Sequence, residues 1–575
     1  MNLTPEELQT GKENFYSAVG SEFTRREFLL SSMAAAAVAG GSLGAFYYGY
    51  SKAEMKDPVR VGVIGTGDEG NVLLGAMNPD FLSVRAICDI RPYNVYRAFE
   101  GQKIGSARAL EVRPGLMKVY GWKTREEAEK HVKIYQDWKL LIDEAAANEI
   151  EAIVIGLPFQ LHAEVAIYAM QKGLHVLTEK LMARTIGECK GMIRTAMATD
   201  RLLSVGHQRH YNILYENAAE TIRTGLLGDI HFVRAQWHRA NLPGNDSWQP
   251  RMPGDPKLAE ALARRIIELE RAKVAAKPDL TKIVDLENQV AEFSAQVADA
   301  EVDAAKYGYE EKLVPAAYGL PEYRATPLEE LIRWRLWKRT GGGLMVELGS
   351  HQMDAAGIFI SAMHQKATGE KKKIKPLAVS AHGARNLFNN DREIDDHLHC
   401  IVEFPHPGYN PADPQDALRR IEVSYSAVNG NGFGGYGEEV YGTKGTMLLL
   451  RETDVALFKE ADTAAKVEVK KDDGLILDTQ ASGPSQAVAT GAAGLAKVSL
   501  GYREELEHWA WCIRNRAPEN NPRCDGPTGM ADAVIALTVN VAVAEQRRIE
   551  FKSEWFDYKS DETPDSSQPT VKIEG

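Results

Sequence analysis

The stretch VRVGVIGTGDEG, residues 59–70, constrains the fold of this chain more than any other. A short apolar run, Val59 to Ile64, passes directly into Gly65, Gly67 and Gly70 at GxGxxG spacing, and an amphipathic segment follows. That order predicts a strand, a tight turn and a helix. The first glycine permits the turn, the second lets backbone approach a pyrophosphate, and the third brings helix close to strand. Phosphate oxygens then meet the helix N-terminus, beside the loop residues Thr66, Asp68 and Glu69. A second apolar run, Leu82 to Cys88, ends in Asp89, nineteen residues after Gly70, where a carboxylate can hydrogen-bond adenosine ribose hydroxyls. Together these features predict a dinucleotide site. Asp89 favours NAD because a carboxylate repels a 2′-phosphate, while Arg91 two residues later keeps NADP open.

The length of 575 residues, 44% of them hydrophobic, allows two or more cored domains. A net charge of −12 argues against a nucleic-acid partner, because a phosphate-tracking surface is normally basic. The five cysteines are scattered without CxxC or other ligand spacing, which argues against a disulfide framework.

Residues 1–57 read as an export segment and linker outside the fold. Thr24 to Leu30 is TRREFLL, and no charged residue follows from Phe28 to Tyr50. This resembles a twin-arginine signal, which implies the twin-arginine export machinery as a partner and an exported, periplasmic location. The uncharged run is long enough to span a bilayer, so both cleavage and retention as a membrane tether stay open; membrane contact is expected only there.

From residue 58 to 207, short apolar runs alternate with amphipathic stretches, as a parallel doubly wound sheet requires. From 208 to 558 the strands lengthen and alternate, which predicts an α+β domain with a largely antiparallel open sheet. Within it, Ile283, Leu286, Val290, Phe293 and Val297 repeat in steps of three and four, so residues 256–312 read as an inserted helical hairpin, expected to pack on its own domain, with an oligomerisation arm and a wall over the site as the alternatives. Residues 480–495 read as a flexible loop and 559–575 as a disordered polar tail.

Two more segments carry chemistry. GLHVLTEKL, residues 173–181, places Glu179 and Lys180 at the C-terminal end of a strand, where open α/β sheets bind ligands. GGGLMVELGSHQMD, residues 341–354, sets Glu347, His351 and Asp354 on one face of a helix at spacings of four and three. Together with GTGDEG these segments resemble the glucose-fructose oxidoreductase and inositol dehydrogenase (Gfo/Idh/MocA) family. The resemblance implies a Rossmann nicotinamide-binding domain, an open-sheet second domain commonly used for homo-oligomerisation, and a sugar-like substrate. It implies that Lys180 contacts nicotinamide and substrate hydroxyl, that His351 is the acid/base, that Glu347 stands where an aspartate is usual, and that Pro158 and His162 lie beside the cofactor. Leu181 replaces the family's proline.

The chemistry follows independently of the resemblance. Oxidising a hydroxyl needs a base at the oxygen and a cation for developing negative charge; His351 and Lys180 supply these. Arg209, Tyr211, His238, Arg239, Asn241 and Trp248 have the composition of a carbohydrate pocket, as do ordinary polar loops. Neither His207 with His210 nor His397 with His399 has metal-ligand context, so no metal is expected. The sequence therefore predicts an NAD(P)-dependent oxidoreductase of a sugar, polyol or related hydroxyl compound. The alternative is a glycosidase working through transient oxidation, elimination, water addition and re-reduction. A non-enzymatic sugar-binding scaffold would not need Gly65, Gly67, Gly70, Lys180 and His351 together.

Overall fold

The computed structural model describes residues 3–22, 47–317, 319–460, 462–471, 475–479 and 500–571. Its first sheet has six parallel strands: β1 (Val59–Ile64), β2 (Leu82–Cys88), β3 (Lys133–Tyr135), β4 (Ala152–Ile155), β5 (His175–Glu179) and β6 (Leu203–Gly206). They lie in the order β3-β2-β1-β4-β5-β6. β1 and β4 are apolar throughout apart from Arg60, and both are buried because helices cover the sheet on each side. The order reverses between β1 and β4, and at such a switch point the strand ends open a crevice.

The second sheet has eight strands and carries a separate small hairpin, β8 (Lys312–Val314) and β9 (Tyr323–Ala325), at its side of the chain. Its strands are β7 (Ile230–His238), β10 (Ala378–Ala384), β11 (His397–Pro405), β12 (Arg420–Val428), β13 (Tyr436–Gly442), β14 (Thr446–Leu450), β15 (Asp454–Phe458) and, after a two-stranded ribbon β16 (Val467–Lys471) and β17 (Leu475–Thr479), β18 (Ile549–Glu550). The order is β15-β14-β13-β7-β12-β11-β10-β18, and every pair is antiparallel except β7 with β12. The predicted combination of a Rossmann sheet and a largely antiparallel one is therefore present, with one parallel pair in the second. On β11, Leu398, Cys400, Val402 and Phe404 point inward and are buried, whereas His399 and Ile401 face out, the period of two that leaves one face open.

Three terminal and inserted segments depart from expectation. Helix α1 (Pro5–Glu22) is part of the fold: Phe15, Ala18 and Val19 are buried, and the Asn14 amide donates to Leu457 O and Ala465 O while its oxygen accepts from Val467 N. The side chain thereby ties the helix to β15 and to the start of β16. The twin-arginine stretch from Thr24 and residues 480–495 lie outside the described residues. The tail from residue 559 is docked instead of disordered, as far as Val571. Lys190 donates to Glu554 O, Ser560 O and Glu562 O, and Arg194 to Tyr558 O and Val571 O. Polar composition hid this because the anchoring groups are backbone carbonyls, which every sequence supplies.

The predicted hairpin exists, as α4 (Pro256–Lys273) and α5 (Leu280–Ala298), but it does not pack only on its own domain. It lies against α3 (Pro92–Glu100) of the Rossmann domain, which follows α2 (Asp68–Ala76). The residues buried best on this side are acids, Glu292 and Asp299, and not the apolar seam. The last long helix among the described residues is Gly526–Glu545, preceded by Tyr502–Arg514; between these two and α5 come the helix Ser350–Thr368, which carries His351, and shorter turns. Gly526–Glu545 is long and apolar enough to cross a membrane, yet 61% of that window is buried inside the molecule, between the two domains.

Candidate active site

The phosphate loop is built as its glycines predict. Gly65 has φ of +86°, the left-handed region, and a Cβ there would lie 2.5 Å from Gly156 O. A Cβ on Gly70 would lie 2.1 Å from Gly65 O, so helix and strand touch backbone to backbone. Gly67 differs: its nearest protein atom would be Asn94 Nδ2 at 3.9 Å, leaving the space above the α2 N-terminus free. Asp89 is held by its neighbours, with Oδ2 accepting from Thr66 N (2.8 Å) and Oδ1 from Arg91 N (2.9 Å). These residues fit a dinucleotide on structural grounds: an open cradle at Gly67, free helix N–H groups beside it, and a positioned carboxylate at the end of β2.

A cleft of about 2160 Å³ runs from this loop between the two domains. Of the residues singled out in the sequence, Gly65, Gly67, Asp68, Glu69, Asp89, Arg91, Pro158, Glu179, Lys180, Arg239, Trp248, Glu347 and His351 line it. Lys180 directly follows β5, and its ammonium donates to Glu347 O at 2.7 Å. The Lys180–Leu181 peptide, where the family's proline would stand, is cis. Met345–Gly349 forms a π-helical turn that runs into Ser350–Thr368, so Lys180 from one domain grips the turn that carries His351 in the other.

The π turn breaks the regular helical spacing, and Glu347, His351 and Asp354 do not act as one face. The Glu347 carboxylate meets Arg335 Nε at 2.6 Å instead of orienting His351. Burial would raise this carboxyl; the Arg335 and Lys180 charges outweigh it and hold the group below its usual value. His351 is buried, with Nδ1 unpartnered among the described residues. Burial, then Lys180 and Arg209, push its imidazole well below the usual range, so it is neutral and able to accept a proton. Glu179 is pushed well above the usual carboxylate range by burial and then by Glu69.

Asp354 lies behind His351, bound to His210 Nε2 (2.8 Å) and Lys373 Nζ (3.1 Å). His207, Asp354 and Asp532 offer ligand atoms within 4.8 Å of one another, but Lys373 bonds both acids, so an ammonium already supplies the cation of that cluster. Thr66 is buried under the loop. His162 spends both ring nitrogens on Leu181 O and Leu157 O, tying two loops together outside the cleft. Four other candidates also miss the cleft. Arg209 is consumed by Glu438, Glu452 and His351 O. Tyr211 bonds His508 and Arg523 N, His238 bonds Phe433 O and Ser426, and Asn241 accepts from Ser247. Their polar side chains satisfy buried structure, which residue type alone does not reveal.

The sequence reading missed Arg335, Trp334, Tyr309 and Tyr502, all of which line the cleft. Arg335 had a signal: a cation between two tryptophans, WRLW, six residues ahead of the glycine triplet. Trp237 and Trp248 flank Arg239, whose guanidinium lies 5.8 and 5.6 Å from their rings, forming an aromatic wall.

Residues 59–207 match the family model described as "Oxidoreductase family, NAD-binding Rossmann fold", and residues 321–448 match "GFO/IDH/MocA C-terminal domain". Among curated proteins, a glycosyl hydrolase family 109 protein of Stenotrophomonas maltophilia is 29% identical over 233 residues, 40% of this chain and 46% of the relative. An uncharacterized oxidoreductase of Schizosaccharomyces pombe is 30% identical over 149 residues, 24% of this chain and 40% of the relative. The chain thus spans less than half the length of these two relatives. The solved WlbA dehydrogenase from Chromobacterium violaceum, in complex with NADH and UDP-GlcNAcA, shares the fold: TM-score 0.51 and 14% identity over 87% of this chain and 97% of that one.

Proposed function

We propose that this chain, whose two domains match the NAD-binding and C-terminal models of the Gfo/Idh/MocA family, is an NAD(P)-dependent oxidoreductase acting on a hydroxyl of a sugar, polyol or related compound. The observation that carries the reading is the meeting of Lys180 and the His351 turn, from different domains, in the cleft that begins at Gly67. Bound nicotinamide supplies the hydride acceptor and donor. His351, held neutral, takes the hydroxyl proton, and the Lys180 ammonium stabilises the charge developing on that oxygen. Arg335 keeps Glu347 ionised, which balances Lys180 and keeps the ammonium at the turn. Trp237, Arg239 and Trp248 face the substrate end and offer stacking surfaces and a donor to a ring with several hydroxyls.

The glycosidase reading is supported by the glycosyl hydrolase family 109 relative. In that case the same base and cation serve a transient oxidation, the acidified carbon beside the ketone loses its proton, the aglycone leaves, water adds, and the ketone is reduced again. Export through a twin-arginine signal and assembly as a homo-oligomer complete the proposal; TRREFLL supports the first. A cofactor carried out with the folded protein would be retained and regenerated in place.

A sugar and glycoside panel in deuterated water separates the two reactions. Net formation of a keto product identifies the oxidoreductase. Aglycone release with deuterium in the ring and no net redox change identifies the glycosidase. Neither product from any member, with nucleotide bound, overturns both.

A further inference from the structure

The inserted hairpin reaches the dinucleotide-binding domain through two buried acids. Glu292 accepts from Lys103 N (2.7 Å), Ile104 N (2.8 Å) and Tyr93 OH (3.0 Å). Asp299, just past the end of α5, accepts from Tyr93 N at 3.0 Å and takes Arg91 Nε and Nη2, each at 2.8 Å, on one carboxylate oxygen. Asp299 is 1% exposed, while Arg91, Asp89 and Asp299 all line the same end of the cleft. A carboxylate buried this deeply is stable only while paired, so the pair holds the arginine in place.

Arg91 is the cation immediately beyond Asp89, and its backbone N–H donates to the Asp89 carboxylate. A guanidinium there is the group that would receive a 2′-phosphate on the adenosine ribose. Two other arginines lining the cleft are also committed: Arg97 to Asp68 and Asn94, and Arg339 to Glu330. With Arg91 held by Asp299, a 2′-phosphate would meet the carboxylates of Asp89 and Asp299 in place of the Arg91 guanidinium.

We propose that Asp299 is a specificity-determining residue: by withholding the Arg91 guanidinium, the hairpin makes the site take NAD and refuse NADP. The inference rests on the dinucleotide reading of the cleft and adds to it a residue from the other domain, about two hundred positions from the loop it controls. The hairpin is then more than a wall, because one of its side chains edits which charge the nucleotide domain presents.

Equilibrium binding of NAD and NADP to nucleotide-free protein, followed by calorimetry, tests this without reference to turnover. Asp299→Asn keeps an acceptor for Tyr93 N and turns an amide on Arg91, releasing the guanidinium with little change of shape. The NADP-to-NAD ratio of dissociation constants should fall at least about tenfold, through tighter NADP binding, the size of one charge-assisted contact. Adding Arg91→Ala to Asp299→Asn should restore discrimination, and Glu292→Gln, which loosens the other latch, should leave the ratio as in the wild type. An unchanged ratio in Asp299→Asn, or a gain that survives Arg91→Ala, overturns the inference. Wild-type protein that binds neither nucleotide overturns the dinucleotide reading itself, and the inference with it.

Discussion

The two ends of the cleft are made in different ways. At the nucleotide end, one stretch of chain and the strand beside it supply the turn, the helix start and the ribose-facing carboxylate, all within Val59 to Asp89. At the substrate end, Lys180, Arg239, Trp248, Arg335 and His351 come from four separated segments and two domains. The first end is a local motif that the fold merely completes. The second exists only once the domains have met, and its electrostatics depend on pairs such as Arg335 with Glu347 that no spacing rule connects. The contrast predicts that changes at the nucleotide end act on binding alone, while those at the substrate end act on turnover.

The sharpest way to break the contrast is Gly67→Val. The side chain would fill the open cradle without meeting protein, so nucleotide binding should be lost altogether while the melting temperature stays close to wild type. Gly70→Ala, whose Cβ meets Gly65 O, should instead unfold the loop and lower the melting temperature; equal thermal behaviour in the two variants would undo the distinction. Next in size, Lys180→Met should cut turnover by about a thousandfold with nucleotide still bound, within the range for loss of a positioned charge or proton donor. Turnover near wild type would remove Lys180 from the chemistry.

Two arginines give a smaller and more pointed comparison. Arg209→Ala leaves Glu438 and Glu452 buried without their cation and should cost about 3–5 kcal/mol of stability, read by denaturant unfolding. Arg239→Ala, at the cleft wall, should leave stability nearly unchanged and raise KM roughly tenfold, the loss of one substrate contact. Reversed effects would return Arg209 to the substrate site. The smallest expected effect is on pH dependence. Because His351 is lowered, its neutral, proton-accepting form persists below the usual 6.5, so the acid limb of kcat should lie below that value. An acid limb at or above it would mean the base is another group.

The sequence made the nucleotide end legible because its signals are local: apolar runs, glycines at fixed spacing and an acid at the end of β2. Lys180 and His351 were legible for a related reason, since each sits in a motif of its own. The remainder was not. Arg209 and Tyr211 read as pocket residues because residue type shows hydrogen-bonding capacity but not direction; Glu438, which uses Arg209, lies 229 positions away. The hairpin showed its helical period, yet its Rossmann contact runs through Glu292 and Asp299, acids on what a hydrophobic pattern treats as the solvent side. The docked tail escaped because it is held largely through backbone groups, to which composition is blind, and α1 because an export-signal reading sets residues 1–57 outside the fold before Phe15, Ala18 and Val19 are weighed as core.

The central claim, that one cleft joins the nucleotide loop to Lys180 and His351 for hydroxyl oxidation, is tested most directly by a single-turnover experiment with NAD-loaded protein and a sugar panel carrying deuterium at the reacting carbons. The account predicts a transient rise of reduced-nicotinamide absorbance that slows with the deuterated substrate and is absent in Lys180→Met. Tightly bound NAD that never becomes reduced, with any member of the panel, would contradict it.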